Sequence, residues 1–218
     1  MLHIFVANKQ TLKIYLEHLF VGIGKEGEMS PFLKKCNVNH NWTKEKVLVK
    51  MLSDISRVRE GDKIVFYLQE AWNQKGKFFG VFEAQSRAFF DEIDNHNFLL
   101  QELKKEIPYR LLIKPWKVFA KGIVEQEILD DLDCKEKPWQ MYWNLIYRKI
   151  KGNRCCVAIT EFAERELIKK FIAINNDSSL VGDNFSFDLE KEEIVLTDQR
   201  KDIYRETRKL WYSFKIYL

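Results

Sequence analysis

The stretch "GKFFGVFEAQSR" (Gly76–Arg87) has the pattern of a β-strand with a glycine at its centre. A glycine inside a strand weakens it and often marks a bulge, or a place where another backbone or a ligand comes close. We therefore expect a ligand or a neighbouring strand of a tight barrel to approach Gly80, or the strand to curve there. The alternation is irregular: it predicts Phe79, Val81 and Ala84 on one side, with Phe78, Gly80, Phe82 and Gln85 on the other side or at the start of a bulge.

Strands and helices are mixed irregularly on both sides of this stretch. Strands are predicted at 2–7, in "KIVFYLQE", in Tyr109–Phe119 with an interruption at Pro115, in "CCVAI", and in the hairpin "NFSFDLEKEEIVL". Helices are predicted at about 9–20 after Asn8, after Thr43, at 97–105, at about 138–150, and from Thr160 to about 174. A long polar loop, beginning at Gly22, is predicted before Trp42. Crossover helices do not separate the strands regularly, so the pattern favours an α+β fold with a small curved sheet or barrel surrounded by helices.

The amino-acid composition permits a nucleic-acid partner but does not require one. The chain has 218 residues, a net charge of +4, and an unusual number of aromatic residues: 16 Phe, 8 Tyr and 6 Trp. Aromatic side chains can fill a core or form flat surfaces for stacking. The mild positive charge permits an anionic partner.

Motifs for catalysis are missing from the sequence. It contains no GxSxG, no P-loop and no GxGxxG, and the acidic group Asp130, Asp131 and Asp133 is most simply a solvated turn. Four cysteines and four histidines are scattered without a CxxC pair, which predicts no zinc site and no other metal or cofactor. We therefore expect a non-enzymatic protein, with its cysteines buried as small apolar side chains in a reducing cytoplasm. Residues 1–8 do not resemble a signal peptide, and no apolar run suggests a membrane span.

Aromatic and basic residues remain as candidates for a binding site. Trp42 follows Asn41 at the end of the polar loop. Its side chain either packs in the core or offers a surface for stacking. Phe66 and Tyr67 are adjacent on a strand, so one is expected in the core while the other lines a pocket or packs under a helix. A run of basic side chains is either a solvated helix face or a phosphate-binding patch, and it comprises Arg148, Lys149, Lys151 and Arg154.

The order of these segments resembles a known group of proteins. "NHNW", a helix, "EGDKIVFYL", "GKFFGVFEAQSR" and "YRLLIKPWKVF" follow each other as in the EVE and YTH modules of the PUA-like superfamily. The resemblance covers about residues 1–175. We therefore predict an EVE/YTH-like domain at 1–175, followed at 176–218 by a C-terminal hairpin and an aromatic and basic extension.

The resemblance implies a PUA-like β-barrel with a pocket for a flipped, often methylated, nucleobase. Carried over by position, Trp42 matches the loop tryptophan of an aromatic cage, and Asn41 is its polar neighbour. Phe89 or Phe90 matches a second cage aromatic after the glycine-bearing strand, and Trp116 lies on a later strand near the pocket. The base-binding pocket predicted in this way comprises Asn41, Trp42, Tyr67, Phe89 and Trp116. YTH proteins carry a Ser- and Thr-rich stretch after the loop tryptophan, whereas this chain has "TKEK", which leaves the choice between RNA and DNA open.

The function predicted from the resemblance is recognition of a modified base in methylated DNA or in RNA. Related modules include N-terminal specificity domains of McrBC-type restriction systems, so a restriction role, with fusion or binding to an NTPase or nuclease subunit, is one hypothesis. The alternatives are an RNA-binding module without preference for modification, and an accessory domain of a nuclease.

Overall fold

A computed structural model of the chain describes residues 1–26, 42–69, 75–91, 102–103, 105–129 and 155–198. These residues form ten strands and four helices. The strands are β1 (Leu2–Ala7), β2 (Phe20–Glu26), β3 (Lys63–Leu68), β4 (Lys77–Ala84), β5 (Phe89–Phe90), β6 (Lys105–Pro115), β7 (Ile123–Val124), β8 (Cys156–Ile159), β9 (Phe185–Asp188) and β10 (Glu193–Leu196). The helices are α1 (Lys9–His18), α2 (Trp42–Ile55), α3 (Glu125–Leu129) and α4 (Glu161–Ile174).

Eight of the strands form one strongly curled sheet. Its order is β2-β6-β4-β3-β1-β8, with β5 paired to β6 and β7 paired to β4. Strands β1 and β3 are parallel, and the other pairs are antiparallel. Helix α2 contacts both β2 and β8, the two ends of this order, and so bridges the opening of a half-barrel. The predicted α+β fold with a small curved sheet is confirmed.

Strand β4 carries a bulge at its central glycine. Ile64 of β3 pairs with Phe82 and Phe66 pairs with Phe79, so β4 has one residue more than β3 between these two pairs. Gly80 lies in this interval with φ of +64°, in the left-handed region that favours glycine. A bulge of this kind bends its strand and increases the local twist.

The bulge changes which side chains share a face of the sheet. Phe79, Phe82 and Ala84 lie in a first core cluster, which also contains the buried side chains of α1, while Phe78 and Val81 lie in a second core cluster together with those of α4. The predicted grouping of Val81 with Phe79 is therefore wrong, because the extra residue reverses the alternation after position 79. Both faces of β4 are buried as a result.

The side chains of Phe82 and Ile194 approach Gly80 closely. A Cβ atom at this position would lie 2.5 Å from Cε2 of Phe82 and 3.3 Å from Cδ1 of Ile194 in the β9–β10 hairpin. The amide of the next residue, Val81, donates to the carbonyl of Lys117 at 3.1 Å. The bulge thus provides both the bend of the strand and the space in which the hairpin packs.

The β9–β10 hairpin belongs to the first core cluster. The ring of Phe187 packs edge-on against Phe79, with centroids 5.1 Å apart, and Phe185 packs in the same way against Phe82 at 6.0 Å. Glu192, in the hairpin turn, forms ion pairs with both Lys9 of α1 and Lys77 of β4. A segment that the sequence analysis separated from residues 1–175 therefore contributes side chains to the same core, and the boundary at residue 175 stays a prediction.

Strand β2 replaces the beginning of the predicted loop. The sequence predicts a loop from Gly22 onward, but Phe20–Glu26 pairs with β6. The Tyr15 hydroxyl donates to the carbonyl of Gly22 at 2.5 Å and ties the strand to α1. Pairing with a partner distant in sequence overrides the weak strand propensity of the glycines.

The predicted helix caps are present at α1 and α4. The Asn8 side chain accepts a hydrogen bond from the Thr11 amide at 2.8 Å, and Thr160 accepts one from Ala163 at 3.2 Å. Helix α2 already begins at Trp42, so Thr43 lies inside the helix instead of capping it. The predicted helix at 138–150 lies outside the described residues, as does most of the one at 97–105.

Substituting Gly80 with Ala is expected to cost more free energy of unfolding than substituting Gly61. Both glycines have positive φ, at +64° and +86°, but a Cβ at Gly61 would meet nothing within 4 Å. Gly61→Ala should therefore cost only backbone strain, about 1–2 kcal/mol. Gly80→Ala should lose about 2–5 kcal/mol in urea unfolding, since steric overpacking adds about 1–3 kcal/mol. Equal losses would show that the contact with Phe82 is unimportant.

Removing the Phe187 ring is expected to destabilise the whole domain. Phe187 is 2% exposed, and replacing a buried phenylalanine with alanine typically costs about 3–5 kcal/mol. Leu189, in the same hairpin, is 42% exposed and serves as the control, with an expected change within about 0.5 kcal/mol. Chemical denaturation of both variants tests this difference, and a small effect of Phe187→Ala would mean that the hairpin is dispensable for the core.

Candidate nucleic-acid interface

An open groove of about 370 Å³ lies between the last turns of α2 and strand β5. Its wall is part aromatic, part aliphatic and part hydroxyl-bearing, and it is formed by Leu52, Ser53, Ile55, Ser56, Ala88, Phe89, Phe90 and Tyr109. These residues come from three separate segments of the sequence. Pairing of β5 with β6, together with the position of α2, brings them together.

Three aromatic residues line the wall of the groove. Phe89 and Phe90 make up β5 and pair with Arg110 and Tyr109 of β6. The rings of Phe90 and Tyr109 are 5.1 Å apart between centroids and inclined by 55°. All three rings are half-buried, so each retains some surface toward solvent. Such a wall can stack against a flat ligand.

A buried ion pair holds β5 in place beneath the groove. Arg110 is 0% exposed, and its Nη1 donates to the Asp91 carboxylate, the residue after Phe90, at 2.9 Å. Its Nε donates to the carbonyl of Ile107, and the guanidinium lies 4.9 Å from the ring centre of Phe20. The charge is thus enclosed by a carboxylate, a carbonyl and an aromatic face, which anchor the two-residue strand.

The opposite side of the groove is more polar. Ser53 lies in the last turn of α2 and Ser56 directly follows the helix. Both are exposed, and the Ser56 hydroxyl donates to the carbonyl of Ser53 at 3.0 Å. A serine hydroxyl offers one donor and two acceptor positions. The groove therefore combines a stacking wall with hydroxyl groups that can meet the polar edge of a ligand.

Tyr67, one of the predicted pocket residues, lies inside the second core cluster. It is 1% exposed, its ring packs against Phe78 at 4.9 Å, and its hydroxyl donates to the buried carboxylate of Glu125. Its neighbour Phe66 faces the first core cluster. The side chain of Tyr67 therefore packs in the protein interior and has no open face toward the groove.

Trp116 lies on the surface, in different surroundings from Phe89. It is 44% exposed, and the ammonium of Lys63 lies 4.4 Å from its ring centre while also pairing with Glu164 at 2.8 Å. Phe89 pairs with Arg110, and Trp116 follows six residues later, or roughly 20 Å along an extended chain. The structure does not bring Tyr67, Phe89 and Trp116 to one place.

The remaining predicted site residues are placed only in part. Trp42 is the first residue of α2, whose last turns line the groove, and the structure describes its backbone only. Ten residues separate it from Leu52, or about 15 Å along the helix. The other predicted residues lie outside the described part of the chain: Asn41, Arg148, Lys149, Lys151 and Arg154.

Several groove residues were not singled out in the sequence. The sequence pattern points to Phe89 and Phe90 as site residues. It gives Tyr109 only as part of a strand and the end of α2 only as part of a helix. The two serines in "SDIS", three residues apart at the end of that helix, were the available signal, since residues with this spacing share a helix face.

Residues that could ligate a metal ion are not clustered in the described segments. These segments contain no group of three or more His, Cys, Asp or Glu side chains placed to hold a metal ion. Cys155 and Cys156 are buried as predicted, and a hydrogen bond with Cys155 together with burial raises the pKa of Cys156. None of the described helices is both long and apolar enough to cross a membrane.

Removing the Asp91 carboxylate is expected to destabilise the protein through Arg110. Breaking a buried pair by deleting one partner typically costs about 3–5 kcal/mol, and we expect the lower end because Asp91 is partly exposed. The double variant Asp91→Ala/Arg110→Met should be more stable than the sum of its two single variants predicts, since it leaves no isolated buried charge. Urea unfolding of all three variants measures this coupling, and additive losses would contradict it.

Comparison with known proteins gives similarity in structure but none in sequence. The chain matches no protein family and no curated protein. Among solved structures it is similar to the DUF55 domain of human thymocyte nuclear protein 1, with 7% identity over 78% of this chain and 98% of that chain, and a TM-score of 0.45.

Two further similar structures contain nucleic acid. One is human THYN1 protein in complex with 5-methylcytosine containing DNA, with 7% identity over 78% of this chain and 96% of that chain, and a TM-score of 0.41. The other is the YTH domain of Zygosaccharomyces rouxii MRB1 protein in complex with N6-methyladenosine RNA, with 14% identity over 78% and 86%, and a TM-score of 0.38. Domains of both kinds named by the sequence resemblance are thus among the structures to which this chain is similar.

Proposed function

We propose that this protein is a nucleic-acid-binding module that takes one unpaired, methylated base into the groove between α2 and β5. The observation that carries the proposal is the lining of the groove, to which three half-buried aromatic residues, Phe89, Phe90 and Tyr109, contribute together with Ser53 and Ser56. The resemblance of the sequence to EVE and YTH modules supports the same function. Tyr67 is not part of the proposed site because its ring and hydroxyl are engaged in the core.

Stacking on aromatic side chains can offset the cost of extruding a base from a duplex. A base on an aromatic side chain gains about 1–3 kcal/mol, whereas extruding a base from a duplex costs a few kcal/mol. Aromatic contacts alone therefore balance the extrusion, and phosphate contacts must provide the net affinity. A methyl group adds apolar surface that the rings of the groove can cover, which would favour the modified base.

Other residues implied by the resemblance remain part of the proposal. Trp42 begins the helix whose end lines the groove, so one rigid element would carry both the predicted cage tryptophan and the serines. Asn41 and Trp116 are proposed as further base contacts. A phosphate-binding role is proposed for the basic run, Arg148, Lys149, Lys151 and Arg154.

The wider role that we propose is a specificity module of a DNA restriction system, acting on methylated DNA and joined to a nuclease or NTPase subunit. This role rests on the sequence resemblance. The leading alternative is an RNA-binding module that ignores modification. Binding of the purified chain to matched methylated and unmethylated DNA and RNA oligonucleotides separates the two, because equal binding to all RNA would favour the alternative.

Phe89→Ala is expected to weaken binding of the preferred oligonucleotide by about 1–3 kcal/mol, the loss of one base–aromatic contact. The preference for the methylated base should shrink with it. Leu189→Ala, which removes an exposed apolar side chain from the distant hairpin, serves as the control and should leave affinity unchanged. Fluorescence anisotropy titrations measure both, and wild-type affinity in a folded Phe89→Ala protein would contradict the proposed site.

Trp42→Ala and Trp116→Ala determine how far the site extends. A loss comparable to that of Phe89→Ala would assign the substituted tryptophan to the same base-binding site. Unchanged affinity in Trp116→Ala would mean that this tryptophan, whose ring lies beside Lys63, takes no part in base binding.

A further inference from the structure

Three arginines are adjacent to lining residues of the groove, either in the sequence or through a hydrogen bond. Arg57 directly follows the lining residue Ser56, and Arg87 directly precedes the lining residue Ala88. The guanidinium of Arg59 reaches back to the groove, where its Nη1 donates to the carbonyl of Ser56 at 3.4 Å. All three arginines are exposed.

Backbone hydrogen bonds hold two of these arginines on neighbouring segments. The amide of Gly61 donates to the carbonyl of Ala84 at 2.9 Å, and the amide of Ala84 donates to the carbonyl of Asp62 at 2.8 Å. The turn that carries Arg59 is therefore fixed to the end of β4, three residues before Arg87. Arg59 thus lies on the turn after α2, and Arg87 lies on the segment between β4 and β5.

These arginines differ from most other cationic side chains in having no acidic partner. In the described part of the chain none of the three forms an ion pair, whereas ion pairs engage Lys9, Lys63, Lys77, Lys114, Lys117 and Lys169. The neighbouring acids are largely engaged elsewhere. Asp62 binds the N-terminal ammonium and the Arg59 amide, Asp91 binds Arg110, and Asp54 is buried, while Glu60 is exposed nearby.

We propose that Arg57, Arg59 and Arg87 form a phosphate-binding rim, which binds the backbone of the nucleic-acid strand on both sides of the base held in the groove. A guanidinium group presents a planar fork of donors that matches phosphate oxygens, and it is always charged. Exposed arginines without carboxylate partners can bind phosphate without first breaking an ion pair. The rim lies beside the base-binding surface itself, so it also sets the position of the strand.

This inference rests on the proposed function and adds to it the surface that supplies the phosphate contacts. It differs from the basic run at 148–154, which the sequence alone suggested. Contacts to phosphate position a strand without reading its bases, whereas pocket contacts specify the base. The rim and the groove should therefore respond differently to salt and to base modification.

The test compares Arg59→Ala/Arg87→Ala with Arg165→Ala/Lys191→Ala. The control removes the same charge from exposed residues on α4 and in the hairpin turn. Affinity for the best-bound oligonucleotide is measured from about 50 to 200 mM salt. The slope of log affinity against log salt should fall in magnitude by about 0.7 for each lost single-strand contact, or about 0.9 for each duplex contact.

The rim variant should also bind about tenfold or more weakly at low salt, for methylated and plain oligonucleotides alike. Arg59→Lys/Arg87→Lys should retain most of the salt slope, because the charges remain, and should recover only part of the affinity. The proposed rim would be contradicted if the Ala variant had the same salt slope as the wild type. It would also be contradicted if the control variant changed the slope by the same amount.

Failure of the rim can be distinguished from failure of the proposed function. If Phe89→Ala weakens binding while the rim variant does not, the groove is retained as the base-binding site. The arginines are then solvent-exposed residues that do not contact phosphate. If the wild-type protein binds no oligonucleotide, the proposed function fails and the rim fails with it. Circular dichroism confirms that each variant is folded before its binding is interpreted.

Discussion

The single extra residue at Gly80 determines how the two sides of the sheet are built. Strand β4 pairs with β3, β6 and β7, and both of its faces are buried. Because the bulge reverses the alternation of its side chains, Phe79 and Phe82 reach the same core cluster although they are three residues apart. The positive φ that this requires is available to glycine at little cost. The packing of the β9–β10 hairpin over the bulge depends on the missing side chain as well.

The candidate site depends on a second constraint, the buried charge of Arg110. A strand of two residues has little stability of its own, and β5 is joined to β6 by backbone pairing and by the ion pair between Arg110 and Asp91. Enclosing the guanidinium against Phe20 and the carbonyl of Ile107 keeps this anchor rigid. The aromatic wall is therefore held by the protein interior, so little ordering would be required when a ligand binds.

In the proposed function, the groove and its rim divide the recognition of a nucleic acid into two physical parts. Flat aromatic surfaces bind any base and gain from an added methyl group, while unpaired arginines bind the charged backbone regardless of sequence. Added salt then weakens the affinity, whereas methylation of the base changes the specificity. Trp116 and the basic run at 148–154 fall outside this described surface, and they are the parts of the proposal that rest on sequence resemblance.

The sequence by itself determined the local elements and the fold class. Asn8 and Thr160 cap helices because their side chains accept hydrogen bonds from nearby amides, and apolar periodicity located most of the described strands and both of the long capped helices. It also pointed to Phe89. Only the tertiary structure decided the register of β4, the pairing of the glycine-bearing β2, and the burial of Tyr67. The groove likewise joins residues 52–56, 88–90 and 109, which meet only through strand pairing and helix packing. Local signals report the conformation of a segment, whereas these features depend on contacts between segments that are distant in the sequence.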